Sequence, residues 1–165
     1  MIKTGEKFPA VTLKALSDSG LQDLSTDSFF ASKKVVLFSV PGAFTPTCTA
    51  RHLPGYVALA EAFAAQGITI ACFAVNDPFV LDAWAKAGKA EGKVTMLPDG
   101  NCVLTKALGV EMDGSGYGLG TRSQRCALYV VNGIVHHVAL EAPGKFEVSS
   151  AEAMLEIVGK MQAAA

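Results

Sequence analysis

The hydrophobic residues of the chain fall into short continuous runs and into patterns with helical spacing. The runs Val35–Val40 and Ile68–Val75 are almost wholly apolar and rich in β-branched residues, as is typical of strands that are buried on both faces. Between them, apolar residues recur at helical spacing over Thr47–Gln66, with a bend expected at Pro54-Gly55 because proline removes a hydrogen-bond donor. Gly67 is placed to end that helix.

The second half of the chain continues the alternation of strands and helices. It predicts a helix over Pro78–Gly88 that is capped by Asp77, a strand over Val94–Leu97 and a helix over Val103–Leu108. A glycine-rich loop over 113–120 follows. Strands over Arg125–Val131 and Ile134–Leu140 are joined by a hairpin turn at Asn132-Gly133, and Ser149-Ser150 begins a last helix. The resulting order, β-α-β-α-β-α-β-β-α, predicts a central mixed sheet flanked by helices. It is compatible with an α/β, thioredoxin-like fold.

Residues 1–32 show a weaker pattern and are expected to form an irregular lead-in. Within them, Phe8–Leu13 alternates weakly and could form a strand, and Ser17–Gly20 is a cluster of turn residues. The segment Thr26–Phe30 is expected to open a short helical turn.

Length and composition narrow the class of protein. The 165 residues are 50% apolar and 18% charged, which predicts one globular domain over residues 1–165. The net charge of −1 gives no reason to expect a nucleic acid or a membrane surface as a partner. No apolar run is long enough to cross a bilayer, and the first residues lack the apolar core of a signal peptide, so we expect a cytoplasmic protein.

Four cysteines, Cys48, Cys72, Cys102 and Cys126, lie far apart in the sequence. They form neither a CxxC redox pair nor a zinc-binding pattern. A reducing compartment is expected because the chain has no export signal.

Cys48 occupies the most informative position in the chain. A buried strand ends, a loop with Pro41 and Pro46 follows, and Cys48 then begins the helical pattern. Free N–H groups and the positive end of the dipole at a helix start favour an anion, so the cysteine is expected to act as an activated thiolate nucleophile. The alternative is an inert, buried small residue.

The residues around Cys48 resemble a known family signature. The string Pro41-Gly42-Ala43-Phe44-Thr45-Pro46-Thr47-Cys48 closely resembles the motif around the peroxidatic cysteine of peroxiredoxins. The longer string to Tyr56, which includes His52-Leu53-Pro54-Gly55, resembles the atypical type II branch of that family. Further similarities cover nearly the whole chain, at Val75–Phe79, Ala83-Trp84, Asp99–Asn101 and Arg122–Arg125.

This resemblance implies a thiol peroxidase that reduces hydrogen peroxide and organic hydroperoxides and needs no metal or organic cofactor. Cys48 would be the nucleophile that becomes a sulfenic acid. The Thr45 hydroxyl would lie beside the sulfur and the peroxide, and Pro41 would shield the thiolate from water. Backbone N–H groups near Phe44 and Cys48 would bind the peroxide oxygens. Arg125, with Arg122 as its competitor, would stabilise the thiolate.

The resemblance also implies a substrate pocket that includes Gly42, Phe44, Thr47 and His52. Structural explanations for the main residues remain open at this stage. Thr45 could serve only as a helix N-cap, Arg125 could be a charge at a strand edge, and His52 is more readily explained as a structural histidine.

The identity of the group that resolves the sulfenic acid stays open. Relatives in one branch use a cysteine about a hundred residues downstream, but here Ser149 and Ser150 occupy that region. Cys72 is then the candidate resolving cysteine; otherwise glutathione or glutaredoxin would attack Cys48 directly. Thioredoxin is the expected reductant in the two-cysteine case. Cys102 and Cys126 are expected to be packing residues.

The resemblance implies a homodimer with the active-site loops near its interface. Two other function classes remain possible from the sequence alone. One is a peroxide sensor or redox-signalling interaction protein with low turnover, and the other is a non-catalytic binding module with a thioredoxin-like fold.

Overall fold

A computed structural model describes residues 1–164 of the chain. The strands within these residues are β1 (Thr12–Ser17), β2 (Gly20–Ser25), β3 (Lys34–Ser39), β4 (Ile68–Ala74), β5 (Thr95–Pro98), β6 (Glu111–Asp113), β7 (Thr121–Ser123), β8 (Cys126–Val131) and β9 (Ile134–Leu140). The α-helices are α1 (Thr26–Phe30), α2 (Leu53–Ala58), α3 (Ala60–Ala65), α4 (Pro78–Ala87), α5 (Val103–Leu108) and α6 (Ala151–Ala164). A π-helical turn at Cys48–His52 precedes α2, and a 3-10 turn at Ser115–Tyr117 follows β6.

The central sheet has the strand order β5-β4-β3-β8-β9. The pairs β3–β4 and β4–β5 are parallel, whereas β8 runs antiparallel to both β3 and β9. Helices α2 and α3 connect β3 to β4, and α4 connects β4 to β5. The predicted mixed sheet flanked by helices is therefore confirmed.

Strand β3 lies between two apolar layers. Val36 and Phe38 pack in one layer with residues of α2, α3, α4 and α6, and Val35 and Leu37 pack in the other with residues of α1 and α5. This two-sided burial is the physical reason for the continuous apolar run, since each buried side chain of this size contributes about 1.5–3 kcal/mol. The strand predicted over Val35–Val40 is confirmed with a shift of one residue.

The irregular lead-in predicted for residues 1–32 is wrong, because β1 and β2 form a regular antiparallel hairpin there. Most residues of this hairpin are exposed, so it carries almost no hydrophobic periodicity. Strand β1 begins at Thr12, so only the last two residues of the weakly alternating segment Phe8–Leu13 belong to a strand. The turn at Ser17–Gly20 and the short helix α1 agree with the sequence prediction.

The segment predicted to be helical over Thr47–Gln66 is helical over almost all of its length, but it is not one regular helix. The segment consists of the π-helical turn, α2 and α3, and it breaks between the last two at Leu59. In the π-helical turn the Leu53 N–H donates to the Cys48 carbonyl oxygen five residues earlier. Pro54, which has no N–H to donate, follows at the start of α2.

Three turn signals in the sequence have the expected structure. Asn132 and Gly133 both have positive φ, 47° and 78°, as a tight hairpin turn between β8 and β9 requires. Asp77 caps α4, and its Oδ1 accepts a hydrogen bond from the Val80 N–H at 2.9 Å. The glycine-rich segment 113–120 is largely loop, but it also contains the 3-10 turn and lies between the paired strands β6 and β7.

Within residues 1–164, none of the helices combines the length and the apolar character that a membrane crossing requires.

Candidate active site

Cys48 begins the π-helical turn, after the loop 40–47 that follows β3. Its side chain is buried, with 1% exposure. Nη2 of Arg125 donates a hydrogen bond to its Sγ atom at 3.2 Å. This contact places a charged hydrogen-bond donor against the sulfur.

The pairing of β3 with β8 explains why Arg125 reaches Cys48. Ser39, the last residue of β3, pairs with Cys126, the first residue of β8. Arg125 precedes Cys126 and therefore lies beside the start of the loop that leads to Cys48. Two residues that are 77 positions apart in the sequence meet because of this register.

His52 lies beneath Arg125 and is fully buried. Its Nε2 is 2.9 Å from the Ser149 carbonyl oxygen and its Nδ1 is 2.8 Å from Nη1 of Arg125. Because a carbonyl only accepts and a guanidinium only donates, Nε2 carries the proton and Nδ1 accepts. Burial lowers the pKa of His52 to about 3, and the nearby Arg125 charge adds to this, although the Ser149 bond and Glu141 oppose it. The imidazole is therefore neutral at physiological pH.

Thr45 is close in sequence to Cys48, but its hydroxyl has a different partner from the one expected. Oγ1 donates to the Gly42 carbonyl oxygen at 2.6 Å, and over residues 1–164 it makes no hydrogen bond to the Cys48 sulfur. The Thr45 carbonyl oxygen accepts from the Thr49 N–H at 3.0 Å. Its hydroxyl accepts no backbone N–H in the described chain, so it does not act as an N-cap, and its lone pairs remain able to accept.

The loop backbone supplies further donors. Across the described residues, the N–H groups of Phe44 and Cys48 have no acceptor, as a site for peroxide oxygens would require. Phe44 has a φ of 63°, an uncommon conformation for a large side chain, and its ring is 54% exposed. Asn76 Oδ1 holds the loop from the end of β4 by accepting from the Ala43 N–H at 2.9 Å.

Arg122 lies at the other side of the same loop and does not contact the sulfur. Its Nη1 donates to the Pro41 carbonyl oxygen at 3.2 Å, and its Nε donates to the Leu119 carbonyl oxygen at 2.9 Å. A Cβ atom on Gly42 would lie 2.6 Å from Nη1 of Arg122, so a larger residue there would displace the guanidinium from its present position. The geometry thus separates the two arginines: Arg125 contacts the sulfur, and Arg122 holds the loop.

A cavity of about 550 Å³ opens beside Thr47 and Arg125, the neighbours of Cys48 in the sequence and in space, and Cys48 itself is not among the described residues that line it. Pro41, Thr45, Thr47 and Arg125 line it, whereas Gly42, Phe44 and His52, which were expected in the pocket, do not. His52 is buried beneath the cavity, and the Phe44 side chain is exposed. Sequence reasoning missed the remaining lining residues, which are Pro46, Arg51, Met112, Tyr117, Leu119, Gln124, Glu141, Ala142, Pro143, Gly144, Lys145 and Phe146.

Phe146 is the central missed residue. Its ring centroid lies 4.9 Å from that of His52, and the guanidinium carbons of Arg51 and Arg125 lie 4.7 Å and 5.9 Å from the ring centre. It therefore covers His52 and Arg125, the arginine that contacts the sulfur. A single phenylalanine in a loop gives no periodic signal, so the sequence pattern could not identify it.

The other cysteines are free and buried. Cys72 lies in β4, where it pairs with Phe38 of β3, and burial together with the nearby Cys48 raises its pKa well above the usual value. Burial raises the pKa of Cys126 to about 11, although a contact of its sulfur with Ser39 Oγ at 3.0 Å opposes this. Cys102 precedes α5 in a left-handed conformation with a φ of 61°. In the part of the chain that the structure describes, His, Cys, Asp and Glu side chains form no group suited to a metal ion.

Comparison with known proteins identifies the family. A family model described as Redoxin matches residues 3–155. Peroxiredoxin-2E-2, chloroplastic, from Oryza sativa subsp. japonica is 47% identical over 161 residues, which cover 94% of this chain and 72% of that protein. The chain belongs to the peroxiredoxin family.

Further relatives support the same assignment. Peroxiredoxin-2C from Arabidopsis thaliana is 44% identical over 157 residues, covering 94% of this chain and 97% of that protein. The crystal structure of reduced Prx3 in complex with H2O2 from Vibrio vulnificus superimposes with a TM-score of 0.92 at 49% identity, covering 96% of this chain and 99% of that one. The thioredoxin-like fold is confirmed, and this peroxiredoxin is a thiol-dependent peroxidase, an oxidoreductase.

Proposed function

We propose that this peroxiredoxin reduces hydrogen peroxide and small organic hydroperoxides through Cys48. The observation that supports this most directly is the 3.2 Å hydrogen bond from Arg125 to the Cys48 sulfur, at the edge of an open cavity. The thiolate attacks the terminal peroxide oxygen, so an S–O bond forms as the O–O bond breaks. The leaving oxygen takes a proton from solvent and departs as water or an alcohol, and the sulfur is oxidised to a sulfenic acid.

The surrounding groups divide the remaining tasks. Arg125 stabilises the thiolate and the negative charge on the transferring oxygens, and the N–H groups of Phe44 and Cys48 bind the peroxide. Pro41 shields the sulfur from water. The apolar wall of the cavity, which includes Met112 and Phe146, favours organic hydroperoxides beside hydrogen peroxide.

Replacing Thr45 by valine should lower the rate of peroxide reduction by roughly one to two orders of magnitude. The hydroxyl donates to Gly42 and keeps lone pairs for the peroxide proton, whereas the valine methyl can do neither. The second-order rate constant for Cys48 oxidation measures this effect by stopped flow. Thr45→Ser keeps the hydroxyl at the same position and should stay within about threefold of the parent. A Thr45→Val variant with the parent rate would remove Thr45 from the catalytic set.

Two regeneration schemes follow from the positions of the cysteines. In the first, Cys72 attacks the sulfenic acid and forms a disulfide that thioredoxin reduces, which requires local unfolding because both cysteines are buried. In the second, glutathione attacks Cys48 through the cavity and glutaredoxin completes the cycle. Arg51 and Lys145, which both line the cavity, favour the second scheme because glutathione carries two carboxylates.

Mass spectrometry after one equivalent of peroxide, with free thiols alkylated, distinguishes the schemes. A Cys48–Cys72 cross-linked peptide that disappears in Cys72→Ser would establish the two-cysteine cycle. A Cys48 sulfenic acid or glutathione adduct with Cys72 alkylated is the result we expect. An unmodified Cys48 would overturn the proposed function, and modification with negligible steady-state turnover would favour a peroxide sensor.

The proposal includes a homodimer and a cytoplasmic location. The exposed apolar rings of Phe44, at 54%, and Phe79, at 58%, favour an interface beside the active-site loop. Four free cysteines favour a reducing compartment. Sedimentation velocity of the parent and of Phe79→Glu tests the dimer, since a charge at that position should shift the population toward monomer.

A further inference from the structure

Glu141, directly after β9, carries a buried carboxylate with an unusual number of hydrogen bonds. Its Oε2 accepts from the N–H groups of Glu147, Val148 and Ser149 at 2.8, 3.0 and 2.8 Å, and from Ser149 Oγ at 2.7 Å. Only 6% of the residue is exposed. Four donors on one oxygen suit an ionised carboxylate better than the uncharged amide that glutamine would place there. Burial raises the pKa of Glu141, but these hydrogen bonds outweigh it and hold the pKa below its usual value.

The segment that Glu141 holds is the one on which the active-site histidine rests. The Ser149 carbonyl oxygen accepts from Nε2 of His52 at 2.9 Å and from the Tyr56 hydroxyl at 2.8 Å. That bond fixes the His52 tautomer, so Nδ1 is the atom that accepts from Nη1 of Arg125. Phe146, in the same segment, packs on the His52 ring.

Glu141 is also joined to Arg125 through the main chain. Its N–H donates to the Arg125 carbonyl oxygen at 3.1 Å. A chain of hydrogen bonds therefore runs from the Glu141 carboxylate through Ser149 and His52 to the Arg125 guanidinium. The backbone bond between Glu141 and Arg125 closes it into a ring.

We propose that Glu141 is a positioning residue for the peroxidatic sulfur. Its carboxylate gathers the N–H groups of 147–149, and the Ser149 carbonyl oxygen then orients His52. His52 in turn holds the Arg125 guanidinium so that Nη2 points at Cys48 Sγ. This inference rests on the proposed function, because it assumes that Cys48 is the reacting sulfur.

Asp99 provides a matched control within the same chain. Its side chain is buried, with 1% exposure, and it accepts from the Leu104 N–H, the Thr105 N–H and Thr105 Oγ1 at 3.0, 2.8 and 2.7 Å. It therefore holds the start of α5 as Glu141 holds 147–149, and in the described chain its side chain bonds only to residues of α5. Asp99→Asn measures what the loss of a buried, loop-holding charge does to the fold alone.

The experiment compares Cys48 oxidation in Glu141→Gln and Asp99→Asn. The only tryptophan, Trp84, reports the reaction, because its Nε1 donates to Thr49 Oγ1 at 3.1 Å, one residue from Cys48. We expect Glu141→Gln to slow oxidation by hydrogen peroxide roughly tenfold and Asp99→Asn to change it by less than about twofold. Ser149→Ala removes only the hydrogen bond from Ser149 Oγ to Glu141 and should slow oxidation by about threefold. It replaces Glu141→Gln in the experiment if that variant fails to fold.

A double-variant cycle separates positioning from general loosening of the fold. In an Arg125→Met background there is no guanidinium to orient, so Glu141→Gln should have less than about a twofold further effect. The alkylation rate of Cys48 by iodoacetamide should show the same pattern without any peroxide.

Two results would overturn the inference: an oxidation rate in Glu141→Gln equal to the parent rate, or a tenfold loss that persists in the Arg125→Met background. A parent protein whose Cys48 does not react with peroxide would instead refute the proposed function. In that case, the alkylation cycle still tests whether Glu141 orients the arginine.

Discussion

Replacing Cys48 by serine should abolish peroxide consumption, with a loss of roughly four orders of magnitude or more in the second-order rate constant. A serine hydroxyl in the same place stays protonated near neutral pH and is a poor nucleophile toward a peroxide oxygen. The Arg125 hydrogen bond, which favours a thiolate, has no comparable anion to stabilise. Coupled consumption of hydrogen peroxide with excess reductant measures the loss.

Cys102→Ser is the matched control for this prediction. Cys102 is another buried cysteine, with 7% exposure, and it lies before α5 rather than at the cavity. It should keep the parent activity, and both variants should keep the parent circular dichroism. Peroxide consumption by Cys48→Ser within tenfold of the parent would assign the reaction to a different thiol.

The sheet could be predicted from the sequence because its strands are buried in ways that leave a pattern. β3 and β4 contact apolar layers on both faces, and the tight turn after β8 requires Asn132 and Gly133. The hairpin β1–β2 left no such pattern, since Leu16 and Leu21 are 36% and 52% exposed and few of its side chains enter the core. Strand pairing there depends on backbone hydrogen bonds, which the sequence does not display.

The same distinction applies to the site. The position of Cys48 could be predicted because a strand, a proline-bounded loop and a helical pattern meet there. The family resemblance then assigned Arg125 as the arginine beside the Cys48 sulfur. The role of Ser149 could not, because its carbonyl oxygen holds His52 and any residue type has a carbonyl. Glu141 was missed because its partners are backbone N–H groups of a loop. Side-chain patterns predict side-chain contacts, and main-chain contacts emerge only from the fold.

Arg125→Met should lower the rate of Cys48 oxidation by roughly 100-fold to 1000-fold. The change removes the donor to the Cys48 sulfur and the donor to His52 Nδ1, which is left buried without a partner. Methionine keeps much of the volume and the apolar stem, so the packing against Phe146 is largely preserved. Stopped-flow measurement of Cys48 oxidation gives the rate, and thermal unfolding reports whether the fold is retained.

Arg122→Met tests the distinction between the two arginines. Arg122 donates to the carbonyl oxygens of Pro41 and Leu119 and only supports the loop, so its loss should slow oxidation by no more than about tenfold. Added methylguanidinium should restore part of the rate in Arg125→Met, where a site beside the sulfur is vacated, and none in Arg122→Met. Equal losses in the two variants, or a larger loss in Arg122→Met, would mean that the loop contact of Arg122 sets the rate of Cys48 oxidation and that the Arg125 hydrogen bond does not.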